Sequence, residues 1–85
     1  MRQPSGWFRL GELARLVLDV LRTAPAPLSI REITAQVMKR RGLDPQDNRT
    51  AELLRKLVRN AVNRQATALV ERIKDGTLVR WRVRE

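Results

Sequence analysis

The chain has 85 residues and a formal net charge of +9, from 18 basic and nine acidic side chains. It contains no histidine and no cysteine, which removes the commonest general base, the commonest metal ligand, disulfides and thiolate sites. A chain this short supports one compact core and little room for a deep substrate pocket. With its carboxylates scattered, enzyme, metal and cofactor chemistry are not expected, and the charge points to a polyanionic partner.

Residues 1–9 read as a flexible N-terminal arm and residues 10–85 as one domain. The basic start is not followed by a continuous apolar run, so a secretory leader is not expected. The longest apolar stretch is broken by Arg15, Asp19 and Arg22, so no membrane partner is expected either. The expected location is the cytoplasm, in association with the nucleoid. Trp7 and Phe8 are expected to pack on the body, because exposing two adjacent aromatics is costly.

The first helix is predicted over about Leu10–Arg22. Leu10, Leu13, Leu16, Val17, Val20 and Leu21 recur at helical spacing, while Glu12, Arg15, Asp19 and Arg22 make a solvated face. Pro25 and Pro27 stop the helix. Leu28 follows as a very short strand that pairs with a later hairpin. Ser29-Ile30-Arg31-Glu32 then forms a capping box and opens a second helix to about Arg41. Ile30, Ile33, Val37 and Met38 are its buried stripe. Gly42 ends it as a left-handed residue and Leu43 tucks back. Lys39, Arg40 and Arg41 suit a helix C-terminus in any protein, with phosphate contact as a second use.

After a turn at residues 44–47, Asn48 is favoured over Asp44 as the cap of a third helix to about Gln65. Its core stripe is Ala51, Leu54, Val58, Ala61 and Val62, widened by Leu53 and Leu57. Residues 48–65 carry five basic groups and one acid. The period then changes to alternation from Val70 to Val83, with Asp75-Gly76 between the runs, the signature of a type I′ hairpin. That turn pairs Lys74 with Thr77, Glu71 with Arg80 and Val70 with Trp81. Val70, Val79, Trp81 and Val83 face the helices, so Trp81 belongs to the core. Leu69, Ile73 and Leu78 face outward; either they form a homodimer contact or the register is off by one residue. The N-terminal aromatics are the other candidate dimer contact.

Three helices and a hairpin in this order make a mainly α fold with a small β-hairpin, a three-helix winged helix-turn-helix. The stretch from Leu10 to Arg84 resembles the winged-helix superfamily. The resemblance is to small bacterial domains with a Pro-Leu-Ser-Ile-Arg-Glu-Ile opening (27–33), an Arg-Gly-Leu-Asp-Pro turn (41–45) and an Asp-Gly hairpin ending in Trp-Arg-Val (81–83). Many such domains carry glycine between the third helix and the wing, where this chain has Ala66-Thr67-Ala68. The third helix therefore either runs on or bends without a left-handed residue.

The resemblance implies that the third helix lies in the major groove of duplex DNA. Arg49, Arg55, Lys56 and Arg59 would face it, with Asn60 and Asn63 as base readers, because arginine matches guanine O6/N7 and asparagine matches adenine N6/N7. Glu52 would orient an arginine or accept from cytosine N4. Arg72, Lys74 and Arg80 of the wing would reach the backbone or minor groove. The expected function is a transcriptional regulator or an accessory factor of the nucleoid or a mobile element. Two alternatives stand beside it: RNA, and a protein-docking winged helix, although the latter usually shows a mixed or apolar outer face.

Overall fold

The structure is a computed structural model that describes residues 11–65 and 69–84. Its elements are α1 (Glu12–Thr23), α2 (Ile30–Arg40), α3 (Asn48–Gln65), β1 (Val70–Asp75) and β2 (Leu78–Val83). This is the expected mainly α layout with a small antiparallel hairpin, and its order is compatible with a winged helix. The N-terminal arm, Trp7, Phe8, Leu10 and the Ala66-Thr67-Ala68 link lie outside the described residues.

Local signals account for most boundaries. Gly11, at φ 79°, precedes α1, and Ala24 turns extended where Pro25 disfavours helix in the residue before it. In α2 the Glu32 amide donates to Ser29 Oγ (3.2 Å), and the Ser29 amide donates to Glu32 Oε1 (2.9 Å), which completes the capping box. At the other end Gly42, at φ 74°, donates its amide to the Lys39 carbonyl (3.1 Å). Leu43 donates to the Met38 carbonyl (2.8 Å), which closes a Schellman motif.

The cap of α3 differs from the sequence expectation. Asp47, not Asn48, holds the N-terminus. Its carboxylate accepts from the Thr50 amide (3.3 Å) and the Thr50 hydroxyl (2.8 Å), and its carbonyl accepts from the Ala51 amide (2.9 Å). Thr50 gives Asp47 two donors at once, and Asn48 becomes the first helical residue. Asp44 shapes the preceding turn, accepting from the Gln46 amide at 2.9 Å.

The core has two parts. Val17, Val20, Leu21, Ile33, Val37, Val58, Val62, Val70 and Trp81 bury together at the junction of the helices with the hairpin. Met38, Ala51 and Leu54 form a second cluster, flanked by Leu43 and Leu57. Thr34 is buried too, and its hydroxyl is satisfied by the Ile30 carbonyl (2.8 Å). Leu53 departs from the expected core stripe: it is 41% exposed, because the stripe ends at Leu57 on that side.

The hairpin keeps the expected faces but not the expected partners. Asp75 pairs with Leu78, Arg72 with Trp81, Glu71 with Arg82 and Val70 with Val83. Gly76 and Thr77 are therefore the loop, with φ 67° at Gly76 and no positive φ at Thr77. One positive φ at the first loop position fits a type II′ turn, whereas type I′ needs two. Moving the loop by one residue shifts the pairing by two, and a shift of two preserves which face each side chain occupies. Trp81 thus stays in the core at 4% exposure, while its Nε1 is buried with no hydrogen-bond partner among the described residues. Leu69 (47%) and Leu78 (43%) are exposed, and Ile73 is half-buried. Leu28 pairs with Trp81 through two backbone hydrogen bonds (2.9 and 2.7 Å), the short strand expected from the sequence.

Candidate nucleic-acid interface

The surface of α3 follows from its buried side. Ala51, Leu54, Val58 and Val62 point into the protein. The opposite side is left to Arg49, Glu52, Lys56, Arg59, Asn60 and Asn63, all exposed, with Arg55 half-buried at the edge. Asp47 anchors the start of this helix. The Thr50 hydroxyl, and then the Thr50 amide, hold the Asp47 carboxyl below its ordinary pKa by stabilising the ionised form.

The hairpin packs mainly on α1 and α2, which leaves a cleft between it and α3. The cleft has a volume of about 650 Å³. Arg55, Arg59 and Asn63 line it from α3, Ser29, Ile30 and Arg31 from the start of α2, and Arg72 with residues 77–79 and Trp81 from the hairpin. Among the described residues no acidic side chain lines it. A smaller cleft of about 290 Å³ continues between α2 and the N-terminal half of α3, and Arg31 and Arg55 line both.

Of the residues singled out from the sequence, the structure brings Arg55, Arg59, Asn63 and Arg72 together in the large cleft. Arg49, Lys56 and Asn60 lie on the exposed surface of α3 outside it, and Lys74 is exposed on β1. Arg80 is held elsewhere: its guanidinium donates to Glu32 Oε1 (3.1 Å) and reaches the Pro27 carbonyl (3.5 Å), tying β2 to the capping box. The Glu71 partner is accordingly Arg82, which donates from Nε (3.2 Å) and Nη2 (2.8 Å). In the sequence Arg31 stands out only as a member of the capping-box stretch Ser29-Ile30-Arg31-Glu32. The signal that places it is its position inside the first turn of a capped helix that packs beside the hairpin, and only the tertiary fold reveals that packing.

The charge is sorted in space. The four ion pairs among the described residues join Arg22 to Asp19, Arg41 to Glu12, Arg80 to Glu32 and Arg82 to Glu71. Arg40 donates to the Thr23 hydroxyl at 2.9 Å. None of these cations belongs to α3 or β1. Among the described residues no helix is long and apolar enough to cross a membrane, and no group of three or more acidic side chains is placed to hold a metal ion. No protein-family model, curated protein or solved structure matches the chain.

Proposed function

We propose that this chain binds nucleic acid without catalysis, and that its partner is double-stranded DNA, engaged as a winged helix engages it. α3 enters the major groove and the β1–β2 hairpin meets the backbone or the minor groove. The role that fits is transcriptional regulation or an accessory function in the nucleoid or on a mobile element.

The observation that carries this reading is the cleft with four arginines, Arg31, Arg55, Arg59 and Arg72, and no acidic side chain among its described lining residues; none of the four joins the ion pairs of the described residues. Gathering like charge without counter-charge is unfavourable in the free protein, and a phosphate backbone relieves it. A docking surface for an uncharged protein partner would not need such an arrangement.

The test is fluorescence anisotropy with a labelled DNA duplex and an RNA duplex of matched sequence over a range of salt. The four cleft arginines with Arg49 and Lys74 make about six phosphate contacts, for which affinity falls on the order of a thousandfold between about 50 and 200 mM salt. The double change Arg55→Ala and Arg59→Ala is expected to weaken DNA binding strongly. Equal affinity for the RNA duplex would move the reading to RNA, whose deep, narrow major groove excludes a helix. No binding to either duplex at low salt would overturn the nucleic-acid reading.

A further inference from the structure

Resting on the duplex-DNA reading, we infer that this surface is divided in two: the cleft clamps one phosphodiester strand, and a separate row on α3, Glu52, Lys56 and Asn60, selects the base sequence. The cleft, about 650 Å³ in volume, has the size of a small-ligand site. That volume takes a short stretch of one strand and is too small to enclose a duplex. Its side chains are suited to a backbone. Arg55 and Arg59 stand on α3, Arg31 and Arg72 come from α2 and β1, and Ile30, Val79 and Trp81 supply apolar surface for a sugar. Contacts to phosphate set register and orientation but carry no sequence information. Arg55 and Arg59, candidates for base reading from the sequence, become positioning residues here.

A strand held in the cleft leaves the outermost ridge of α3 to face the base edges. Arg49, Glu52, Lys56 and Asn60 follow at spacings of three and four, opposite the buried Ala51, Leu54, Val58 and Val62. All four are exposed and none lines the cleft. Arg49 stands at the helix start, nearest a backbone. The next three offer distinct chemistry: Glu52 accepts from cytosine N4, Lys56 donates to guanine O6 and N7, and Asn60 pairs with adenine N6 and N7. From Glu52 to Asn60 the helix rises about 12 Å at 1.5 Å per residue. At about 3.4 Å per base step along a strand, that spans three to four base pairs. The preferred subsite is therefore short and contains both a guanine and an adenine.

The experiment is selection from a randomised duplex library, followed by anisotropy on the selected and on scrambled duplexes. Wild type should enrich a short motif. Asn60→Ala should relax one position of it, by about five- to a hundredfold in preference, with the salt slope unchanged. Arg55→Ala with Arg59→Ala should retain the motif, bind more weakly to every duplex, and show a slope shallower by about two. Circular dichroism confirms folding; if the double variant unfolds, Arg59→Ala alone, at an exposed position, makes the same test with a change of about one. A motif altered by the cleft changes, or left intact by Asn60→Ala, overturns the division. Salt-sensitive binding by wild type with no motif overturns it too, while leaving DNA binding in place. Absence of any binding removes the functional reading beneath it.

Discussion

Asp47 shows how one side chain sets the start of the helix on which the candidate interface stands. Its carboxylate collects two donors from Thr50 and sits where the helix macrodipole favours negative charge. Those hydrogen bonds hold its pKa below the usual value. A depressed folded pKa means that the contribution to stability is fully present above the unfolded value of about 3.9. It is lost as pH falls through the lower folded value. Urea unfolding followed from pH 6 downward should therefore show an acid loss of stability to which Asp47 contributes, and Asp47→Asn should flatten that contribution. An Asp47 titration by NMR at or above the ordinary aspartate range would refute this assignment. The cap itself was only half legible in the sequence. Asp44, Asp47 and Asn48 are all competent caps, and the choice fell to the residue whose third successor is a threonine with a hydroxyl to donate.

At the scale of elements, signals written within a few residues were readable, and signals that depend on packing were not. The capping box at Ser29, the left-handed Gly42 with Leu43 behind it and the short Leu28 strand each appear as expected. The loop phase of the hairpin does not. Asp75-Gly76-Thr77 supports either a type I′ turn on Asp-Gly or a type II′ turn on Gly-Thr, and local chemistry does not choose between them. The observed phase brings Arg82 to Glu71 and frees Arg80 for Glu32, a contact between residues 48 apart that no local pattern encodes. The convergence of Arg31 with Arg55, Arg59 and Arg72 was hidden for the same reason, since it needs three elements in place. The width of the α3 stripe is a further case, and it is testable. Leu54 is fully buried and Leu53 is 41% exposed, although they are adjacent and identical in type. Leu54→Ala should cost about 2–5 kcal/mol, the range for emptying a well-packed leucine site. Leu53→Ala should fall near the range of about 0.5 kcal/mol seen at surface positions. Denaturant midpoints at unchanged slope would measure both, and equal losses would mean that Leu53 is covered in solution.

For the whole molecule, the surplus of positive charge acts on stability and on binding in opposite directions. The net charge of +9 repels itself, and the described ion pairs return little, because all four are at least partly exposed and such pairs are worth about 0–1 kcal/mol each. Raising salt from about 10 to 150 mM shortens the screening length from about 30 to 8 Å, which weakens the long-range repulsion more than contacts at ion-pair distance. The free protein should therefore melt several degrees higher at the higher salt, since each kcal/mol is worth about 4–8 °C in a domain of this size. Affinity for duplex DNA should fall over the same interval. The same reasoning fixes the sign for Arg55→Ala with Arg59→Ala: removing two cations from a cleft lined by four arginines relieves repulsion, so the variant should be at least as stable as wild type at low salt and less responsive to added salt. Differential scanning calorimetry of both proteins across the salt series decides the matter. A wild-type melting temperature that drops as salt rises would mean that the ion pairs outweigh the repulsion. The cleft arginines would then be part of what holds the free fold together, rather than a charge concentration that the fold merely tolerates.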